Sequence, residues 1–231
     1  MIEVSLYAEK AGFETAVDDL RLIHNLLQQD HPYVPHIMMG HSMGSFLVRR
    51  YMQKYSDDKQ AVILSGTGYH RGLVGKAGMM LAKLETIIFS PTHKSKLMNK
   101  LSFGQYQKHF QSGSWLSRDK AEVSLYNEDP FSGFISTSQF FVDLLSGIDT
   151  LHKPSELKKV NTNTPMLFIS GAEDPVGNFT NGVKKAIRDY EQVGVKTIDV
   201  IFYEDARHEL TFEKNRDEVI NDIYNWIKTV Y

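Results

Sequence analysis

The chain has 231 residues, 42% of them hydrophobic and 23% charged, with no cysteine and a formal net charge of −2. This is the profile of one globular domain, or one domain with an insertion, that can bury a core without covalent staples. It excludes disulfides, thiolate catalysis and cysteine-based zinc or iron–sulfur centres, and its overall charge gives no reason to expect a nucleic-acid partner.

Residues 1–10 have neither a basic n-region nor a long apolar run, so no secretory signal is read there. No stretch reaches the roughly 18–20 apolar residues of a membrane span, and the expected location is cytoplasmic. Gly12–Asp30 reads as an amphipathic helix with Val17, Leu20, Ile23 and Leu27 at helical spacing. Pro32 stops it, since proline bars the helical region to its predecessor. Residues 35–40 are a short apolar run bounded by Pro and Gly, a buried strand. Phe46, Leu47, Arg50, Tyr51 and Tyr55 predict a helix over 45–56, and residues 61–66 form a second buried strand.

From 67 to about 133 the alternation lapses. Helices are expected near 78–89 and 95–101, with aromatic residues scattered around them, and the stretch reads as an inserted cap. Residues 138–151 are helical, with Phe141, Leu144, Leu145 and Ile148 on one face. Alternation resumes with a strand at 165–170, a helix at 181–192 and a strand at 197–203. A closing helix over 213–230 turns Val219, Ile223, Trp226 and Ile227 inward. Near-continuous apolar strands alternating with helices predict an α/β fold with a parallel sheet covered on both faces. Core residues 1–67 and 136–231 would then flank a helical cap over 68–135.

Gly40-His41-Ser42-Met43-Gly44 stands between an apolar strand and an amphipathic helix. A Gly-x-Ser-x-Gly turn in that context lifts a serine Oγ above the carboxyl end of a sheet. The two glycines are expected to make room where strand and helix pass close together. A serine hydroxyl also needs a base, a group to orient that base, and donors for the oxyanion. The Met43 N–H is one expected donor. Acid and base should follow in that order, each in a loop after a later strand. Asp174 is the natural acid, with Glu173 its local rival, and His208 the natural base; an Asp before Pro also serves as a plain turn former. His41 is read as pocket wall. Metal chemistry is not expected: His208-Glu209-Leu210-Thr211-Phe212 has Phe where a zinc-protease helix needs its second ligand. No cofactor is implied.

These residues resemble the α/β-hydrolase superfamily, in the branch of monoacylglycerol lipases and bacterial lysophospholipase-like hydrolases. The matching pieces are the Ser42 turn, residues 170–177, Ala206-Arg207-His208-Glu209, and the stretches 115–119 and 129–134. The resemblance implies lipase, esterase or lysophospholipase activity with Ser42, Asp174 and His208 as the triad. It also implies several strands, and a His-Gly loop carrying a second oxyanion donor, ahead of the first helix. This chain is expected to be N-terminally truncated, with about four strands where the family has about eight. It would lack that donor, and residues 37–39 would form an uncovered apolar edge.

Residues 71–120 carry nine Lys or Arg against Glu85 and Asp119, a net +7 in a chain of −2. A solvated basic face is the plain reading. The functional one is peripheral contact with an anionic membrane, with Met79, Met80 and Leu84, beside Trp115 and Val176, lining a route for the substrate. The expected activity is hydrolysis of a small-molecule carboxylic ester, a lipid or lysophospholipid, through an acyl-enzyme. An aminopeptidase-like or other acyl hydrolase with the same triad stays open, as does an inactive binding protein. The sequence carries no signal of oligomeric state.

Overall fold

The four apolar runs form one parallel sheet. The computed structural model describes residues 11–56 and 61–231; the reading of residues 1–10 lies outside them. In chain order the elements are α1 (Gly12–Asp30), β1 (Ile37–His41), α2 (Met43–Lys54), β2 (Ala61–Ser65), α3 (Gly72–Ile88), α4 (Lys96–Gln107), α5 (Lys120–Glu128), α6 (Ser138–Leu151), α7 (Pro154–Leu157), β3 (Met166–Gly171), α8 (Asn181–Gln192), β4 (Ile198–Tyr203) and α9 (Arg216–Val230). The sheet order is β1-β2-β3-β4, with Met39 opposite Ile63, Ile63 opposite Leu167, and Leu167 opposite Asp199.

The period-2 alternation of strands sorts their side chains to two faces. Val62, Leu64, Met166 and Phe168 pack against Val48 and Met52 of α2 and Val183, Ala186 and Tyr190 of α8. Ile63, Leu167 and Ile169 pack against Val219 and Trp226 of α9. Trp226 Nε1 donates to Asp199 Oδ2 at 2.8 Å, which gives the one charge on β4 a partner. A third cluster joins Phe13 and Val17 of α1 to Phe46, Tyr51 and Leu151. Helix α6 packs on α1, α2 and α3.

Some details depart from the sequence pattern. On α1, Val17 faces inward as expected and Leu20 packs on the same cluster, but Ile23 and Leu27 are exposed and His24 is buried. The inward stripe runs Phe13, Val17, Leu20, His24 because His24 Nδ1 lies 2.7 Å from the Tyr51 hydroxyl. On α2, Arg49 is fully buried while Arg50 pairs at the surface with Glu14 and Glu156. Helix α3 starts six residues earlier than its periodicity suggests, and α5 has no strong periodic signal. Helix α9 starts at Arg216, because Glu213 is drawn off its start into a buried ion pair with Arg118. Among the described residues β1 lies at one sheet edge, with Met39 exposed.

Candidate active site

Strand β1 passes straight into α2 through Ser42, whose φ of 52° and ψ of −119° lie where an L-residue is strained. The turn is held by Ser42 N–H donating to Ser65 O at 2.9 Å, and by Ser45 Oγ donating to Ser42 O at 2.6 Å. Gly40 is required: a Cβ there would stand 2.4 Å from Gly44 O. Gly44 is not required for space at its own Cβ position, which is open. The expectation that both glycines make room therefore holds for Gly40, and Gly44 contributes its closely packed backbone. As the first residue of α2, Met43 has an N–H with no intrahelical acceptor.

Strands β3 and β4 run parallel to β1 and end at the same side of the sheet as this turn, and the loops after them carry Asp174 and His208. His208 Nδ1 lies 2.9 Å from Asp174 Oδ2, and both side chains are buried. The two loops touch through Gly171, where a Cβ would fall 2.2 Å from Ala206 O. Burial disfavours the charged His208 ring, yet the Asp174 charge and hydrogen bond, with Glu209 behind them, outweigh it, and its pKa stands above the ordinary imidazole value. Asp174 Oδ1 accepts from Val176 N–H at 2.8 Å, which sets the carboxylate plane. Glu173, the rival acid, is directed instead to Arg207 at 3.5 Å.

A cavity of about 440 Å³ opens onto Ser42. Met79, Trp115 and Val176 line it as expected, with Met43 beside them; Met80 and Leu84 do not, because they lie on other faces of α3 and are exposed. His41 does not line it either and stands beside His208, with ring centroids 4.7 Å apart. Trp115 approaches His208 at 5.1 Å. Much of the apolar wall comes from Phe140, Phe141, Leu144 and Leu145 of α6 and Phe103 and Tyr106 of α4. The apolar face of α6 was legible as a stripe, but nothing local said that it faces a cavity. Arg71, Lys76 and Asp149 are charged groups of the lining. Arg71 lies over the Tyr106 ring at 5.4 Å, and burial raises the Tyr106 pKa against the opposing Arg71 charge.

His41, His208 and Glu209 bring possible metal-ligating atoms within 4.8 Å of one another. His41 Nε2 lies 3.2 Å from Glu209 Oε2 without aligned hydrogen-bond geometry. Burial raises the Glu209 pKa, but the neighbouring His41 and then His208 overcome it, so Glu209 is held below the usual carboxylate value.

A family model described as "Serine aminopeptidase, S33" matches residues 7–215. The chain is 23% identical over 214 residues to a monoacylglycerol lipase of Mycolicibacterium smegmatis, covering 91% of this chain and 68% of the lipase. It is 26% identical over 225 residues to the monoglyceride lipase of Rattus norvegicus, covering 95% of this chain and 65% of the relative. The chain thus spans about two thirds of the length of these relatives. Its fold is similar to a crystal structure of a thermostable carboxyl esterase from Bacillus coagulans, with a TM-score of 0.85, 24% identity, and coverage of 94% of this chain and 72% of that one.

Proposed function

The chain belongs to the serine aminopeptidase S33 family of α/β-hydrolases, and on that premise we propose that it hydrolyses a carboxylic ester of a lipid, of monoacylglycerol or lysophospholipid type, through an acyl-enzyme. The observation that carries this is the buried Asp174–His208 hydrogen bond of 2.9 Å, set beside an apolar cavity onto which Ser42 opens. In this reading His208 takes the Ser42 Oγ proton as Oγ bonds to the ester carbonyl carbon. The Met43 N–H donates to the oxyanion. His208 then returns the proton to the leaving alcohol, and water repeats the cycle to free the acid. Asp174 orients the ring and stabilises its cation.

The lining favours an ester over an aminoacyl substrate. An aminopeptidase must hold an ammonium group, and Asp149 is the sole carboxylate among the described lining residues, against the cations Arg71 and Lys76. Residues 68–135 act as a cap over the cavity. The outer face of α3 exposes Leu73, Ile87 and Ile88 beside Lys83, a pattern suited to resting on an anionic lipid surface. Among the described residues no helix is long and apolar enough to cross a membrane.

A fluorophosphonate probe and a substrate panel test this reading. Wild type should label and turn over p-nitrophenyl esters, and Ser42→Ala should do neither. Faster turnover of aminoacyl anilides than of esters would overturn the ester assignment, and absence of labelling in folded protein would favour an inactive binding protein.

A further inference from the structure

The loop that carries His208 is clipped to the segment that carries Trp115, and the clip centres on one buried carboxylate. Glu213 has no solvent exposure and accepts four hydrogen bonds. Its Oε1 takes Arg207 N–H and Arg118 N–H, each at 3.0 Å. Its Oε2 takes Arg118 Nε–H and Lys214 N–H, each at 2.9 Å. A carboxylate offers lone pairs for all four donors, and the Arg118 guanidinium compensates its charge.

Around this carboxylate the two segments are laced together. Glu209 N–H donates to Leu116 O at 2.8 Å, Ser117 Oγ to Phe212 O at 2.8 Å, and Arg118 Nη2 to Asn215 Oδ1 at 2.8 Å. Arg207 Nη1 donates to Ser114 O at 2.6 Å. The residues on either side of His208 are thereby tied to Ser114, Leu116 and Arg118, and the one residue between Ser114 and Leu116 is Trp115, whose ring meets His208 at 5.1 Å. Glu213 touches neither the cavity nor His208 itself.

We propose that Glu213 is a positioning residue: with Arg118 it holds the His208 loop and the Trp115 segment as one unit, so that the imidazole is aligned on Asp174 and covered from water. This rests on the reading of His208 as the base. A side chain used in proton transfer must be held to a fraction of an ångström by groups that are themselves fixed, and Glu213 is such a group for a loop with no regular secondary structure at His208. The isosteric Gln would turn an NH2 toward two of the four donors, so charge and acceptor count both matter here.

The test compares Arg118→Ala, Arg118→Lys and Glu213→Gln in the full chain. The readouts are thermal melting, kcat and KM on p-nitrophenyl butyrate, and the downfield proton resonance of His208 Nδ1–H shared with Asp174. Arg118 is partly exposed, so its variants keep the test falsifiable if Glu213→Gln does not fold. Arg118→Ala should stay folded, lose roughly ten-fold or more in kcat, and broaden the His208 resonance through solvent exchange. Lysine should restore part of both, and added guanidinium should rescue Arg118→Ala but not Glu213→Gln. Folded variants with kcat within two-fold of wild type and an unchanged resonance, whatever their melting point, would overturn the proposal. If wild type turns over no ester, the reading of the base fails, and the resonance alone decides whether Glu213 positions the ring.

Discussion

At Ser42 a non-glycine residue occupies a backbone region that costs about 1–3 kcal/mol, and the bonds to Ser65 and Ser45 hold it there. Ser42 lines the cavity, and in the proposed mechanism His208 has to be neutral to accept its proton. Because the His208 pKa stands above the ordinary value, kcat/KM should fall as pH drops through a point above about 6.5. Asp174→Asn should move that limb to lower pH and reduce kcat by about 10³–10⁴-fold, read from pH–rate profiles. His152 behaves in the opposite way. Burial first, then the Arg49 charge, push its pKa down to about 4 against the pull of Asp189. The unfolded chain takes up a proton near pH 6.5 that the folded ring refuses, so stability present above that pH is lost as pH falls toward 4, by on the order of 3 kcal/mol. Urea midpoints at pH 7 and 4.5 should differ by less in His152→Asn than in wild type. Ser42, Asp174 and His208 could be named as candidates because each follows an apolar strand, and the structure joins Asp174 to His208 by a hydrogen bond. Glu213 could not be, because its partners Arg118 and Arg207 lie 95 and 6 residues away and no local pattern joins them.

The strand–turn–helix unit around Ser42 makes a sharper test than its motif suggests. Gly40→Ala would drive a methyl group into Gly44 O at 2.4 Å, and should cost about 3 kcal/mol and abolish fluorophosphonate labelling. Gly44→Ala meets open space within α2 and should leave stability unchanged or raise it by up to about 1 kcal/mol. Paired denaturation curves of the two variants check this, and equal losses would contradict the packing described. Helix α3 shows the limit of periodicity. Its apolar residues run almost all round, so spacing alone named Met79, Met80 and Leu84 together, and only the packing of α3 on α6 turned Met79 to the cavity and the other two outward.

Across the whole molecule, charge and apolar exposure gather on one stretch. Residues 71–120 carry the basic excess, and α3 leaves Leu73 at 84% and Ile87 at 79% exposure. Sedimentation with vesicles should show stronger binding to anionic than to neutral lipid, reduced by salt, and reduced again in Leu73→Ser/Ile87→Ser, with turnover of a soluble ester retained. Equal, salt-insensitive binding to both lipids would count against docking through this face. Among the described residues β1 lies at one edge of the sheet and leaves Met39 exposed. Met39→Lys should lower concentration-dependent light scattering without changing ester turnover.

The sequence by itself determined the four strands with the helices between and after them that carry a clear apolar stripe, the parallel sheet and the strained turn at Ser42. It also marked two loops for a candidate acid and base, which the structure brings together. These follow from apolar runs, turn residues and helical spacing, which act over a few positions. Tertiary structure alone decided which faces of α3, α4 and α6 enclose the 440 Å³ cavity, that Arg49 and Glu213 are buried charges, and that His41 stands beside His208 instead of in the pocket wall. Each of these depends on residues distant in the chain meeting in one place, where burial makes a charge or hydrogen bond strong and an unpaired one costly. No local pattern encodes that meeting.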